Sequence, residues 1–172
     1  MDQKTIMRYF SRPMKYAVMA LATGFGLGLS PFASGTAGAL LGLPLMWLVH
    51  PVWAGPIAWQ IACCAVLAAA AVPICGAAER HFGRKDDRRI VADEYLTFPI
   101  GLIGLPLSAP VLALAFVTNR ICDIVKPFPA RGAQALPGGW GIAIDDFISA
   151  LYSLALNHAA LALWGLLKER LA

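Results

Sequence analysis

The sequence predicts an all-α integral membrane protein: about five membrane-crossing helices, one pair of them a hairpin broken by proline and glycine, plus an N-terminal helix that is interfacial or re-entrant. Three observations predict it. Hydrophobic residues make up 59% of the 172 residues and charged ones 14%, against roughly 45–50% and 25% in soluble domains. Apolar runs cover residues 16–29, 36–49, 52–78, 96–117 and 142–167. Most Lys and Arg residues cluster between those runs, at 4–15, 80–89 and 120–131. A chain this short and this poor in charge cannot coat a soluble surface, so residues 1–172 read as a single membrane domain.

Taken in order, the run at 16–29 follows Lys4, Arg8, Arg12 and Lys15 and stops at Ser30-Pro31, since proline disfavours helix in the residue before it. Basic residues, an apolar run and then small residues imitate a secretory signal peptide. The chain stays hydrophobic afterwards, so the expectation is a retained segment that lies in the cytoplasmic interface or dips in and returns. Runs 36–49 and 52–78 supply two crossings through an uncharged turn at His50-Pro51. The shorter of them spans only with local thinning, because a crossing helix needs about 20 residues. Run 96–117 contains Pro99, Gly101, Gly104, Pro106 and Pro110. It reads as one kinked span or as a hairpin turning near 105–110, with limbs at 91–105 and 111–125. The positive-inside rule puts all three basic clusters on the cytoplasmic side. Passing from Arg89 to Arg120 then takes an even number of crossings, which favours the hairpin. Run 142–167 crosses once more and leaves the C-terminus outside, against the mild contrary pull of Lys168 and Arg170.

Net charge is +4, with a pI of about 9.0. It is divided among loop clusters and forms no basic stripe, so the expected partner is the lipid bilayer and not nucleic acid. Cys63, Cys64, Cys75 and Cys122 have neither metal-ligand spacing nor a disulfide framework and read as packing residues. His50, His81 and His158 have no useful partner. Asp86-Asp87 reads as a solvated loop, and Trp47, Trp53, Trp59 and Trp164 read as interfacial anchors.

Five of the ten acidic residues fall in three motifs: Asp93-Glu94, Asp123 and Asp145-Asp146. Each sits at the cytoplasmic end of a predicted membrane helix. A charge within a spanning helix costs at least about 2.5 kcal/mol, and carboxylates at one level repel, so a divalent cation is the economical counter-charge. Asp93-Glu94 opens the first hairpin limb, where acids also suit the positive helix end. Asn119, Arg120, Asp123 and Lys126 are three or four apart and share one helix face, until Pro127 stops the helix. They form an intrahelical salt-bridge ladder, or an Asp for metal flanked by Arg120 and Lys126 for phosphate. Gly138-Gly139-Trp140-Gly141 leads into Asp145-Asp146. A glycine-rich loop entering a helix can bring backbone N–H groups to phosphate oxygens, and the Asp pair would repel that phosphate unless a metal bridged them. Upstream, stretch 24–38 holds Ser34, Gly35 and Thr36. Ser34 or Thr36 can cap the next helix at the same level, or the glycines serve close helix packing.

Ala92-Asp93-Glu94, Asn119-Arg120 through Lys126-Pro127-Phe128-Pro129, Gly138-Gly139-Trp140-Gly141 through Asp145-Asp146, and the glycine-rich opening at 24–38 together resemble the phosphatidylglycerophosphatase A family. Order and spacing agree across 21–156. Ser34, Ala92, Asn119 and Pro137 stand where the family often carries other residues, but no carboxylate is lost. The resemblance implies Mg2+-dependent hydrolysis of phosphatidylglycerol phosphate to phosphatidylglycerol and inorganic phosphate. It further implies a multi-pass protein of the bacterial inner (cytoplasmic) membrane with its active site facing the cytoplasm. In such a site Asp93, Asp123, Asp145 and Asp146 are metal ligands and Glu94 is a ligand or base. Gly35, Thr36, Asn119, Arg120, Lys126, Gly138 and Gly139 bind substrate. Direct attack by water and a phospho-aspartyl intermediate both stay open, as does the oligomeric state. The rival readings are a phosphatase for another phospholipid, such as phosphatidic acid, and a membrane transporter. Against transport stand the lack of an inverted repeat and the position of the acids at helix ends.

Overall fold

The structure is a computed structural model that describes residues 12–171; Lys4 and Arg8 of the first basic cluster lie outside the described residues. Every regular element among them is helical. In chain order they are α1 (Arg12–Ala22), α2 (Ser34–Leu40), α3 (Gly42–Leu48), α4 (His50–Trp53), α5 (Ile57–Phe82), α6 (Ala92–Thr97), α7 (Ala109–Val125), α8 (Ala130–Ala133) and α9 (Gly139–Leu171), with 3-10 turns at Leu27–Leu29 and Phe98–Leu102.

Two helices, α5 and α9, are long and apolar enough to cross a membrane by length and composition. At 1.5 Å per residue they run roughly 39 and 50 Å, against about 30 Å of hydrocarbon. Only 28% of the most apolar stretch of α5 and 17% of that of α9 are buried. A soluble protein would bury such helices, so these apolar faces call for lipid. The end of α5 is set by Gly83 at φ +68, whose N–H bonds the Glu79 carbonyl at 2.9 Å, the left-handed stop that glycine accepts without a Cβ penalty.

The second apolar run does not form one helix. α2 and α3 meet at Leu41, and together Ser34–Leu48 is a short apolar stretch. A Cβ on Gly38 would collide with Val91, and one on Gly42 would lie 2.5 Å from ring carbons of Phe98. These two glycines therefore let α2 and α3 lie directly on α6 and the turn after it, which is the packing role left open above.

The fourth run reverses direction. Pro99 stands at the start of the 3-10 turn Phe98–Leu102, Gly104 takes φ +73, and α7 returns. Glu94 Oε2 consequently lies 3.4 Å from Arg120 Nη1. A single kinked span would have put these residues at opposite ends, so the hairpin geometry holds. Its first limb is a one-and-a-half-turn helix and a 3-10 turn, because Pro99 cannot donate to the ladder.

Two apolar clusters fill the interior. One gathers Ala22, Ala71, Cys75, Ala78, Ile90, Tyr95 and Ile142; the other gathers Met46, Phe98, Leu102, Val111, Ala115 and Ala150. A buried polar knot joins the hairpin to α9. Asn157 Nδ2 donates to the Gly101 carbonyl at 2.8 Å, and Thr118 Oγ1 lies 2.8 Å from both Ser153 Oγ and Asn157 Oδ1. Nearer the loops, Gln60 Oε1 accepts the Gly104 N–H at 2.8 Å.

Three expectations are corrected. Trp53 is not an interfacial anchor: it is buried, and its Nε1 donates to the Leu102 carbonyl at 3.1 Å, whereas Trp47, Trp59 and Trp164 are exposed. Asp87 is not solvated. It is buried and accepts from Arg89 Nε at 2.8 Å, Nη2 at 2.9 Å and the Arg89 backbone N–H at 3.1 Å, while the guanidinium lies 3.9 Å over the Phe82 ring. Neither Ser34 nor Thr36 caps α2. The N-cap is Ala33 at φ 46, without a side-chain cap bond, and the nearby Ser30 hydroxyl instead donates to the Phe32 carbonyl at 2.8 Å.

Candidate active site

Three chain segments bring their acids together at the loop ends of α6, α7 and α9. Glu94 lies in the first turn of α6, and Arg120 and Asp123 lie near the end of α7, one turn apart on one face. Arg120 Nη2 is 2.8 Å from Asp123 Oδ2, and Nη1 is 3.4 Å from Glu94 Oε2, an ion pair without hydrogen-bond geometry. All three side chains are 13–14% exposed. Gly35 of α2 closes this side: a Cβ there would collide with Glu94 Oε1 and lie 3.3 Å from Arg120 Nη2. Thr36, the next residue, is half-buried.

On the other side stands α9. Asp145 and Asp146 occupy its second turn and are buried. Lys126 does not stay on the α7 face that the three-four spacing predicted. It is the C-cap of α7 at φ 47, and its side chain leaves the helix to place Nζ 2.5 Å from Asp145 Oδ2. Gln134 Nε2 donates to the same oxygen at 2.8 Å. Asp93 is buried at the start of α6 and feels the charges of Glu94, Asp145 and Asp123; Asp146 feels those of Asp93 and Asp123.

The cluster holds five carboxylates and two cations. Six of its buried polar atoms have no hydrogen-bond partner among the described residues: Asp93 Oδ1, Glu94 Oε2, Asp146 Oδ2, Asn119 Oδ1, and Arg120 Nε and Nη1. Buried polar groups are nearly always paired, so orphan acceptors and orphan guanidinium donors in one place mark a site shaped for something else. Among the described residues no three His, Cys, Asp or Glu groups close on a single point tightly enough to hold a metal alone.

The glycine loop has a different local reason. Gly138 takes φ +61. A Cβ on Gly139 would collide with the Val72 carbonyl of α5, and one on Gly141 with the Leu136 carbonyl. The latter two glycines let α9 start in contact with α5 and with its own leading loop.

The sequence profile of the family described as Phosphatidylglycerophosphatase A matches residues 20–161. The chain belongs to the phosphatidylglycerophosphatase A family.

Relatives named Phosphatidylglycerophosphatase A include one from Escherichia coli, 34% identical over 80% of this chain and 80% of its own. Another, from Haemophilus influenzae, is 37% identical over 81% and 85%. A relative from Bacteroides thetaiotaomicron, provisionally named phosphatidylinositol-3-phosphatase, is 36% identical over 84% and 92%. No solved structure matches the chain. Membership makes the chain a phosphatase. Within it Gln134 carries no family-motif or spacing signal of its own. The loop at 131–137 is Arg, Gly, Ala, Gln, Ala, Leu and Pro, and only the fold puts its one amide on Asp145. Cys75, Cys64 and Cys122 are buried and unpaired, as packing residues are.

Proposed function

We propose that this chain hydrolyses the phosphomonoester of phosphatidylglycerol phosphate, releasing phosphatidylglycerol and inorganic phosphate, at the cytoplasmic face of a bacterial inner membrane. One observation carries the reading: orphan guanidinium donors of Arg120 and orphan oxygens of Asp93, Glu94 and Asp146 converge where three helix ends meet. A phosphate needs the first set, and a divalent cation needs the second. Family membership supplies the reaction class. The topology that goes with it has about five crossings: α2–α3, α5, the two limbs of the hairpin and α9. This keeps the cluster at one membrane surface, where a lipid headgroup lies while its chains stay in hydrocarbon.

The donor set fits Mg2+. The oxygens are hard carboxylate ligands, and Mg2+ takes only one or two carboxylates and keeps waters and substrate phosphate for the rest of its shell. Asp93 and Asp146, each with an unpartnered buried oxygen, would hold it, with Glu94, Asp123 and Asp145 adjacent. When bound it neutralises phosphate charge and eases deprotonation of water. The chain's own residues do the remainder. Arg120 Nε and Nη1 and Lys126 Nζ take the phosphate oxygens and the charge that grows on them, and Asn119 borders the same space. Gly35, with Thr36 beside it, lets α2 lie directly against Glu94 and Arg120 and so borders the same site. Water attacks phosphorus as the ester P–O bond breaks. Glu94 Oε2 accepts the proton that water loses and that proton passes on to the departing lipid oxygen, so the alcohol leaves protonated and the carboxylate is restored.

A second reading has one specific observation in its favour. The Bacteroides relative carries a different headgroup in its name, so another phosphorylated lipid is the competing substrate. The test is phosphate release by purified protein from phosphatidylglycerol phosphate, phosphatidylinositol 3-phosphate and phosphatidic acid in parallel. Each lipid is run with magnesium, with chelator, and with Asp146→Asn. Magnesium-dependent release that favours the first lipid and is lost in the variant is expected. Equal or faster turnover of another lipid moves the assignment to that headgroup. Release that survives chelation refutes the metal, and labelled phosphate trapped on Asp123 or Asp145 refutes direct attack by water.

A further inference from the structure

Residues 126–137 run from the end of α7 to the start of α9, along the edge of the acid cluster, and three contacts tie them to α9. Lys126 Nζ is 2.5 Å from Asp145 Oδ2, and Gln134 Nε2 donates to the same oxygen at 2.8 Å. Between them Tyr152 Oη donates to the Phe128 carbonyl at 2.8 Å. Ala130 is fully buried beneath the segment, and Arg131 is exposed on its outer side.

One carboxylate oxygen thus receives both ends of the segment, while Asp93, Glu94 and Asp146 each keep a buried oxygen without a hydrogen-bond partner among the described residues. The acids divide into Asp93, Glu94 and Asp146, each with an oxygen that accepts no hydrogen bond, Asp123, whose Oδ2 meets Arg120, and Asp145, whose Oδ2 is committed to the segment. Hydrogen bonds to an ionised group are roughly twice as strong as neutral ones, so the two at Asp145 dominate the attachment.

We propose, on the basis of the phosphatase reading, that Gln134 is a positioning residue: with Lys126 it latches residues 126–137 onto Asp145 and so sets where Lys126 meets the substrate phosphate. A doubly charged phosphate competes with Asp145 for the Lys126 ammonium. Gln134 keeps hold of Asp145 when Lys126 turns to that phosphate, so the segment stays closed and the carboxylate stays oriented.

The test uses the full-length protein in detergent and an arginine-specific protease, following the fragment cut after Arg131. Cleavage tracks the open population when opening is fast. Removing one hydrogen bond to a charged group should raise the cleavage rate roughly tenfold in Gln134→Ala. Gln134→Lys, which can still donate to Asp145, should stay within about twofold of the parent, and Gln134→Glu, which repels Asp145, should open further. In phosphate release Gln134→Ala should raise KM with kcat nearly constant, the pattern of weakened ground-state binding, and Gln134→Lys should restore it. Parent-like cleavage of Gln134→Ala overturns the latch. So does equal acceleration by Asp123→Asn, whose carboxylate meets Arg120 and not the segment. The protease readout needs no substrate. Inactivity of every form toward every lipid, with the cleavage pattern intact, would instead refute the proposed function and leave the latch standing.

Discussion

Replacing Arg120 with Met removes a charge while keeping most of the side chain's bulk. Arg120 is the shared partner of Glu94 and Asp123, and none of the three is more than 14% exposed. Its loss leaves two carboxylates facing each other in a partly dry site that already holds Asp93, Asp145 and Asp146. Breaking a buried pair by removing one partner costs about 3–5 kcal/mol. The residual exposure places this case at the lower end, about 3 kcal/mol, which for a chain of this size lowers Tm by roughly 6–12 °C. Arg120→Met/Asp123→Asn should recover part of that loss, because the carboxylate stranded by the first change is gone. Losing a donor to the developing charge should also cut kcat by about 10²–10³. Tryptophan-monitored melting in detergent and phosphate release from the lipid measure the two effects separately. A Tm within about 2 °C of the parent, or activity within about threefold, would refute the placement of Arg120 as the counter-charge of the cluster.

Two further outcomes follow from contacts away from the phosphate. Asn157→Leu removes the bonds to the Gly101 carbonyl and to Thr118. Interhelical hydrogen bonds in membranes average about 0.6 kcal/mol, with a maximum near 1.7, so unfolding in denaturing detergent should shift by about 1–2 kcal/mol while KM is unchanged. For Asp87, hydrogen bonding and charge from Arg89 hold the carboxyl below its ordinary value. A carboxyl lowered on folding contributes stability above its unfolded value near 3.9 and loses it as pH falls through the depressed one. The Tm gap between parent and Asp87→Asn should therefore be constant from about pH 5 upward and should close below about pH 4. A gap that widens in acid would contradict the pair.

Much of the molecule is legible along the chain because its causes are local. Composition alone demands lipid, since a helix such as Ile57–Phe82 with no charge before Glu79 cannot be solvated. The grouping of Lys and Arg into loop clusters argues for a reversal near 105–110, and the structure turns at 103–108; the Glu94–Arg120 pair shows why that reversal is useful: it returns a cation to the acids it must balance. The five acids themselves stand out by motif and by their position at helix ends. What only the tertiary structure decided depends on which distant residues meet. Nothing near Gln134 in sequence announces Asp145, and Asp87 looks solvated until Arg89 folds back on it. Trp53 looks like an anchor until Leu102 offers a carbonyl. The glycines carry the same lesson: Gly35 borders a carboxylate and a guanidinium, whereas Gly139 borders the Val72 carbonyl. A missing side chain takes its meaning from what fills the space, and that space is made by another helix.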